Sequence, residues 1–119
     1  QYDLGELWWK WQALPFCFAL WAVRCDFYEA HPATVQALAR ELGEHTSRNL
    51  HALPRVVSEA LGARVTEHER ANVVSYLRHL DYFLTDDMQR GLMKFYALAH
   101  RAGYIPYVPP LAWIGESAI

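Results

Sequence analysis

The residues of this chain that could do chemistry are six histidines, two cysteines, an adjacent aspartate pair and one arginine at the end of an apolar run. His31, His45, His51, His68, His79 and His100 invite a metal reading. They are scattered, none forms an HExxH pair and no CxxC accompanies them, so they read as solvated surface groups and no metal site is expected. Cys17 and Cys25 are eight residues apart, roughly 26 Å if extended, beyond disulfide reach unless the chain turns back. Free thiols in a reducing, cytoplasmic setting follow. A nucleophilic cysteine needs a paired base, which the sequence does not locate. Asp86 and Asp87 could pass for a catalytic carboxylate pair, but both sit where a helix begins and the dipole favours anions. Arg24 is the more specific candidate. It closes a run of apolar residues, and the ends of sheet strands are where open α/β proteins hold ligands; a guanidinium there could grip a carboxylate, against the plainer reading of a local salt bridge. Trp8, Trp9, Trp11 and Trp21 could wall a flat ring, or pack as a stripe. There is no phosphate-cradling glycine loop, GxSxG elbow or dinucleotide fingerprint.

The element that must position Arg24 is the run Leu14–Val23, LPFCFALWAV, without a charged or polar side chain. In a strand, Phe16, Phe18, Leu20 and Ala22 share one face, and Cys17, Ala19, Trp21 and Val23 the other. Both faces are apolar, the pattern of a strand covered by helices on both sides. Nothing else in the chain reads as a strand to pair with it, and each buried, unpaired backbone group costs on the order of 1–3 kcal/mol. The strand therefore joins a sheet from other sequence, pairs with another copy of itself in a homodimer, or does not form. The first alternative is the cheapest, so the chain reads as part of a larger protein, and its start at Gln1 fits that.

Five helices surround this run. Asp3 and Glu6 have capping-box spacing before a short helix with Leu4, Leu7, Trp8 and Trp11 on one face. Arg24 to His31 reads as a polar connector. Pro32 opens a helix to about Arg48, striped by Val35, Leu38 and Leu42. A break at Asn49–Leu53 precedes a helix from Pro54 that closes at Gly62, with Leu53, Val57, Ala60 and Leu61 inward. Thr66 and Glu69 form the clearest capping box, before a helix burying Val73, Val74, Leu77 and Leu80. After a connector at Asp81–Leu84, Thr85 caps the last helix, striped by Met88, Leu92, Phe95, Tyr96 and Ala99, with Gly103 its left-handed end residue. Tyr104–Ile119 reads as an irregular tail.

Of the 119 residues, 53% are hydrophobic and 14% aromatic, enough for a core and too apolar for disorder. A net charge of −2 without a lysine–arginine stripe argues against nucleic acid. The apolar run is too short to span a membrane, and no cleavable signal precedes it.

Asp3-Leu4-Gly5-Glu6-Leu7-Trp8, followed by Trp11-Gln12-Ala13-Leu14-Pro15-Phe16-Cys17-Phe18-Ala19-Leu20-Trp21, resembles the chorismate dehydratases of the futalosine route to menaquinone. These have a DLGEEW-type helix leading into a TGLPFVFAVW-type strand. Downstream, Tyr76-Leu77, Leu80-Asp81-Tyr82, Leu84, Gly91-Leu92, Phe95-Tyr96 and Ala99 follow the family's closing pattern. The resemblance implies an α/β, type-II periplasmic-binding-protein-like fold of two lobes. Residues 1–119 would be its C-terminal portion, helix-dominated with one buried crossover strand, its N-terminal portion lying outside this chain. It implies a lyase reaction, chorismate to 3-[(1-carboxyvinyl)oxy]benzoate by loss of water, with no cofactor. Loss of a ring proton and a hydroxyl makes the ring aromatic, so the product supplies driving force. Strand position makes Pro15, Phe16 and Trp21 the candidate substrate-binding residues, with Arg24 beside them; no catalytic residue carries over. The chain departs from the family at Ala13, where the pattern has glycine. Lacking the segments that supply much of the pocket, these residues are expected to be inactive alone. The competing readings are a non-catalytic small-molecule-binding protein of the same fold, and a helical interaction module with an exposed aromatic face. A dihydroxynaphthoate synthase of the same pathway shares the fold but matches the strand less well.

Overall fold

The computed structural model describes residues 2–114. Among them are six α-helices: α1 (Leu4–Gln12), α2 (Cys25–Ala30), α3 (Pro32–His51), α4 (Leu53–Leu61), α5 (Glu67–Arg78) and α6 (Asp86–Arg101), with a 3-10 turn at Gly62–Arg64. They fall into two units, one of Gln1–Glu29 with Leu84–Ile119 and one of Ala30–Phe83.

In the first unit, α1 starts where Asp3 accepts the Glu6 N–H at 2.8 Å. Only this half of the expected box forms, because Glu6 turns along the helix to Lys10. The helix ends at Ala13, which adopts the left-handed conformation, φ 53° and ψ 33°. Thr85 caps α6, its hydroxyl accepting the Met88 N–H at 3.3 Å, and Asp86 and Asp87 occupy the first turn as expected. Gly103, at φ 78°, closes the far end. Its N–H reaches the His100 carbonyl and the Tyr104 N–H reaches that of Ala99, both at 2.9 Å, which is a Schellman motif.

Two expectations for this unit are corrected. The segment Arg24–His31 is not a plain connector but holds α2. It carries no 3.6-residue apolar stripe; Asp26, accepting the Phe27 N–H at 2.9 Å and the Arg24 guanidinium, organises it locally. The buried crossover strand is likewise not seen. Residues 15–24 have no helix, turn or bend and no bridge partner, and there is no strand among the described residues. Nor is the run buried: Phe18 is 73% and Trp21 88% exposed. A strand is held by hydrogen bonds to its neighbours, and the described chain offers none.

In the second unit, Pro32 stands at the start of α3 as expected, and Val35 is buried beneath it. The helix runs on to His51, so the break before α4 narrows to Ala52. Gly43 sits mid-helix with open space where a side chain would point. Helix α4 packs on α3 and α5 and buries Leu53 and Val57. It ends at Gly62, φ 63°. The capping box of α5 is complete: Glu69 N–H to Thr66 Oγ1 at 3.2 Å, Thr66 N–H to Glu69 Oε2 at 2.6 Å. Arg70 ties α5 to the preceding turn by donating to the Val65 carbonyl at 3.0 Å.

Composition and burial disagree across the described residues. The buried hydrophobic side chains are Trp8, Val35, Leu53, Val57 and Leu92, a small core for a sequence this apolar. Leu4, Leu7 and Trp11, expected inward on α1, are exposed, as are Leu38 on α3 and Leu80 after α5. Stripes with the right period are therefore left uncovered.

Candidate functional site

The candidate residues lie along residues 15–24, and the structure separates them into two groups. Pro15 and Phe16, half-buried, are held against α6 and Trp8 of the first unit; Trp21 and Arg24 are exposed. The anchor is a close approach between Pro15 and α6. A Cβ added to Gly91 would lie 2.2 Å from the Pro15 carbonyl oxygen, so only glycine lets that backbone lie against the helix. Gly91 is itself buried. One residue on, Leu92 fills the interior beneath the same turn.

Phe16 then enters an aromatic cluster centred on Trp8 of α1. Ring centroids stand 5.6 Å apart for Trp8 and Phe16, 6.0 Å for Trp8 and Phe95, and 5.6 Å for Phe16 and Phe95, all edge-to-face. Such pairs add to the energy of area burial alone. Trp11 meets the edge of Trp8 at 5.9 Å, and Tyr96 that of Phe95 at 6.0 Å. Phe18 lies 4.9 Å from Phe16, with its ring tip over Gly5. Within this cluster the Trp8 indole N–H is buried and has no acceptor among the described residues.

Trp21 makes no ring contact among the described residues. Arg24 forms a two-pronged pair with Asp26, Nε to Oδ1 at 3.0 Å and Nη2 to Oδ2 at 2.7 Å. Both side chains are largely exposed, so the pair adds little stability and leaves the guanidinium able to exchange partners. Of the four tryptophans near the run, Trp8 is interior, Trp11 edges it, and Trp9 and Trp21 face outward.

No acid–base group stands inside the cluster. Cys17, half-buried beside it, donates to the Ala19 carbonyl at 3.5 Å, and burial pushes its thiol above the ordinary value. It is protonated and a poor nucleophile at neutral pH. Three of the six histidines have a local hydrogen bond at Nδ1: those of His51 and His79 meet the Ser47 and Ser75 carbonyls one turn back, at 2.7 and 2.6 Å. His100 Nδ1 meets the Ile105 carbonyl at 3.1 Å. Among the described residues, no three His, Cys, Asp or Glu side chains gather where a metal could bind. No helix is long and apolar enough to cross a membrane.

In the second unit, a cavity of about 230 Å³ is lined by Ser58, Glu67, Arg70 and Arg78 over Pro54 and Val74. Its most buried cation, Arg70, already serves the Val65 and Ser58 carbonyls. It holds none of the candidate residues.

Gly91 lies outside the expected site residues, and Trp8 holds a place in the site that its stripe alone does not show. An isolated glycine inside a helical pattern marks close backbone approach, which is the signal at Gly91. Trp8 was legible as core, but its unpaired N–H was not, since hydrogen-bond partners depend on tertiary placement.

A family model described as menaquinone biosynthesis matches residues 1–101. No solved structure matches the chain.

Proposed function

The chain belongs to the menaquinone biosynthesis family, and from that membership we propose that it is the C-terminal portion of a chorismate dehydratase, a carbon–oxygen lyase. The observation that carries this reading is the family match across residues 1–101, together with the DLGELW helix and LPFCFALW run that it spans. Full-length members would have two α/β lobes around a cleft, and the run 14–23 would become a strand once partner strands lie beside it. The uncovered stripes of α1 and α3 and the exposed run support this, because each is an apolar surface prepared for a neighbour.

In that setting Phe16 stands fixed by Trp8 and Phe95, and offers an aromatic edge to a flat ring at the cleft. Trp21 and Arg24 lie farther along, where a guanidinium released from Asp26 pairs with a substrate carboxylate. Dehydration also needs a base near the ring proton and help for the departing hydroxide. The cluster contains neither. The residues described here bind and position; the chemistry comes from elsewhere in the full protein, and this chain alone is inactive.

The test is chorismate consumption, followed by loss of the diene absorbance and appearance of the aromatic product. No turnover by the 119-residue chain alone, with turnover after refolding beside the N-terminal part of a full-length family member, supports the reading. Turnover by the chain alone sinks the inactive-portion claim. A folded two-part complex that binds chorismate without consuming it favours a non-catalytic binding protein.

A further inference from the structure

We propose that the groove between α4 and α5 binds a small organic dicarboxylate between Arg70 and Arg78, at a site apart from the residues given to the proposed reaction. The cavity there, about 230 Å³, is lined by these two arginines and Glu67 over an apolar floor of Pro54, Ala71 and Val74. A water takes about 30 Å³ of liquid, so the space is that of a small molecule.

Arg70 is the anchor. Its side chain is only 17% exposed, and a charge withdrawn from water needs a close counter-charge or a full set of hydrogen bonds. It has neither. A guanidinium offers five N–H donors, of which Arg70 uses one on the Val65 carbonyl at 3.0 Å and one on the Ser58 carbonyl at 3.5 Å. Among the described residues, the one carboxylate within 4 Å is that of Glu67, 3.8 Å from Nε on a side chain 94% exposed. The neighbouring acids are engaged elsewhere, Glu59 with Arg55 and Glu69 with the Thr66 cap. Arg70 is thus a largely buried cation that is poorly neutralised where it lines the cavity.

Arg78 lies eight residues further along α5, about 12 Å of helix rise, and lines the same cavity. It makes no ion pair among the described residues. The lining therefore has two cations against one exposed carboxylate. Two guanidinium groups at the ends of an apolar floor match a ligand with a carboxylate at each end and hydrocarbon between them. A compact anion such as phosphate meets one end and leaves the floor wet.

NMR titration of the isotope-labelled 119-residue chain with succinate, adipate and suberate tests this, with acetate and inorganic phosphate for comparison. The expected result is saturable binding of the best-fitting dicarboxylate, with shifts at the Nε–H of both Arg70 and Arg78. It should bind roughly tenfold tighter than acetate or phosphate, as a second charge-assisted pair is gained. Arg78→Gln, at an exposed position, should reduce it to the acetate level with unchanged helical circular dichroism. Arg40→Gln on α3, the same charge change outside the cavity, should leave it unaltered. No saturable binding of any of the three, phosphate binding as tightly as the best of them, or equal losses in Arg78→Gln and Arg40→Gln would each overturn the proposal.

Discussion

Ala13 stands in the left-handed conformation at the end of α1, a backbone region that favours glycine. A Cβ in that region costs roughly 1–2 kcal/mol, partly offset because glycine makes the unfolded chain more flexible. Ala13→Gly should therefore stabilise the first unit by about 0.5–1 kcal/mol, read as a higher urea midpoint with unchanged slope. Gly91 is the opposite case. Gly91→Ala places a methyl group 2.2 Å from the Pro15 carbonyl, so α6 and the run must separate. The expected loss is about 1–3 kcal/mol, with a red shift of tryptophan fluorescence as Trp8 becomes wet. The cysteines should also differ. Cys25 is exposed while burial raises the Cys17 thiol, so iodoacetamide near pH 8 should label Cys25 first. Equal labelling would mean that Cys17 is not held in the cluster's edge.

At the scale of elements, what the sequence made legible was whatever is decided locally. Thr66, Thr85 and Asp3 act through backbone N–H groups three residues away, and Gly103 through its own dihedral angle, so each cap could be read from neighbours alone. The box at α5 has a pH signature. The Thr66 N–H, and then its hydroxyl, hold the Glu69 carboxyl below the ordinary range. A carboxylate with a lowered folded value stabilises above its unfolded pKa, and that contribution is lost as pH falls through the lowered value. Fraying of α5 at acid pH should follow the Glu69 titration by NMR, and Thr66→Ala, which removes the hydroxyl but keeps the backbone N–H, should raise that titration only part of the way to the ordinary range. Helix α2 escaped the reading because six residues organised by Asp26 leave no periodic stripe. The run 15–24 escaped differently. Its composition is that of an interior strand, but a strand is a property of a pair, and the partner is not among the described residues. Of the site, Pro15 and Phe16 were legible as members of the run; their fastening by Gly91 and Trp8 was not, because it depends on how α6 and α1 meet them.

For the whole molecule, the contrast is between an apolar sequence and a small core. Trp8 and Leu92 hold one unit, Val35, Leu53 and Val57 the other, while Phe18, Trp21, Leu4 and Leu38 face outward. The chain belongs to the menaquinone biosynthesis family, and these uncovered apolar surfaces are what the proposed reading requires of a part that packs on neighbours. The most direct measurement is chorismate turnover by the chain alone and after refolding with the N-terminal part of a full-length family member. The account predicts none alone and restored turnover in the one-to-one complex; turnover by the chain alone, or a folded complex that leaves chorismate untouched, would contradict it.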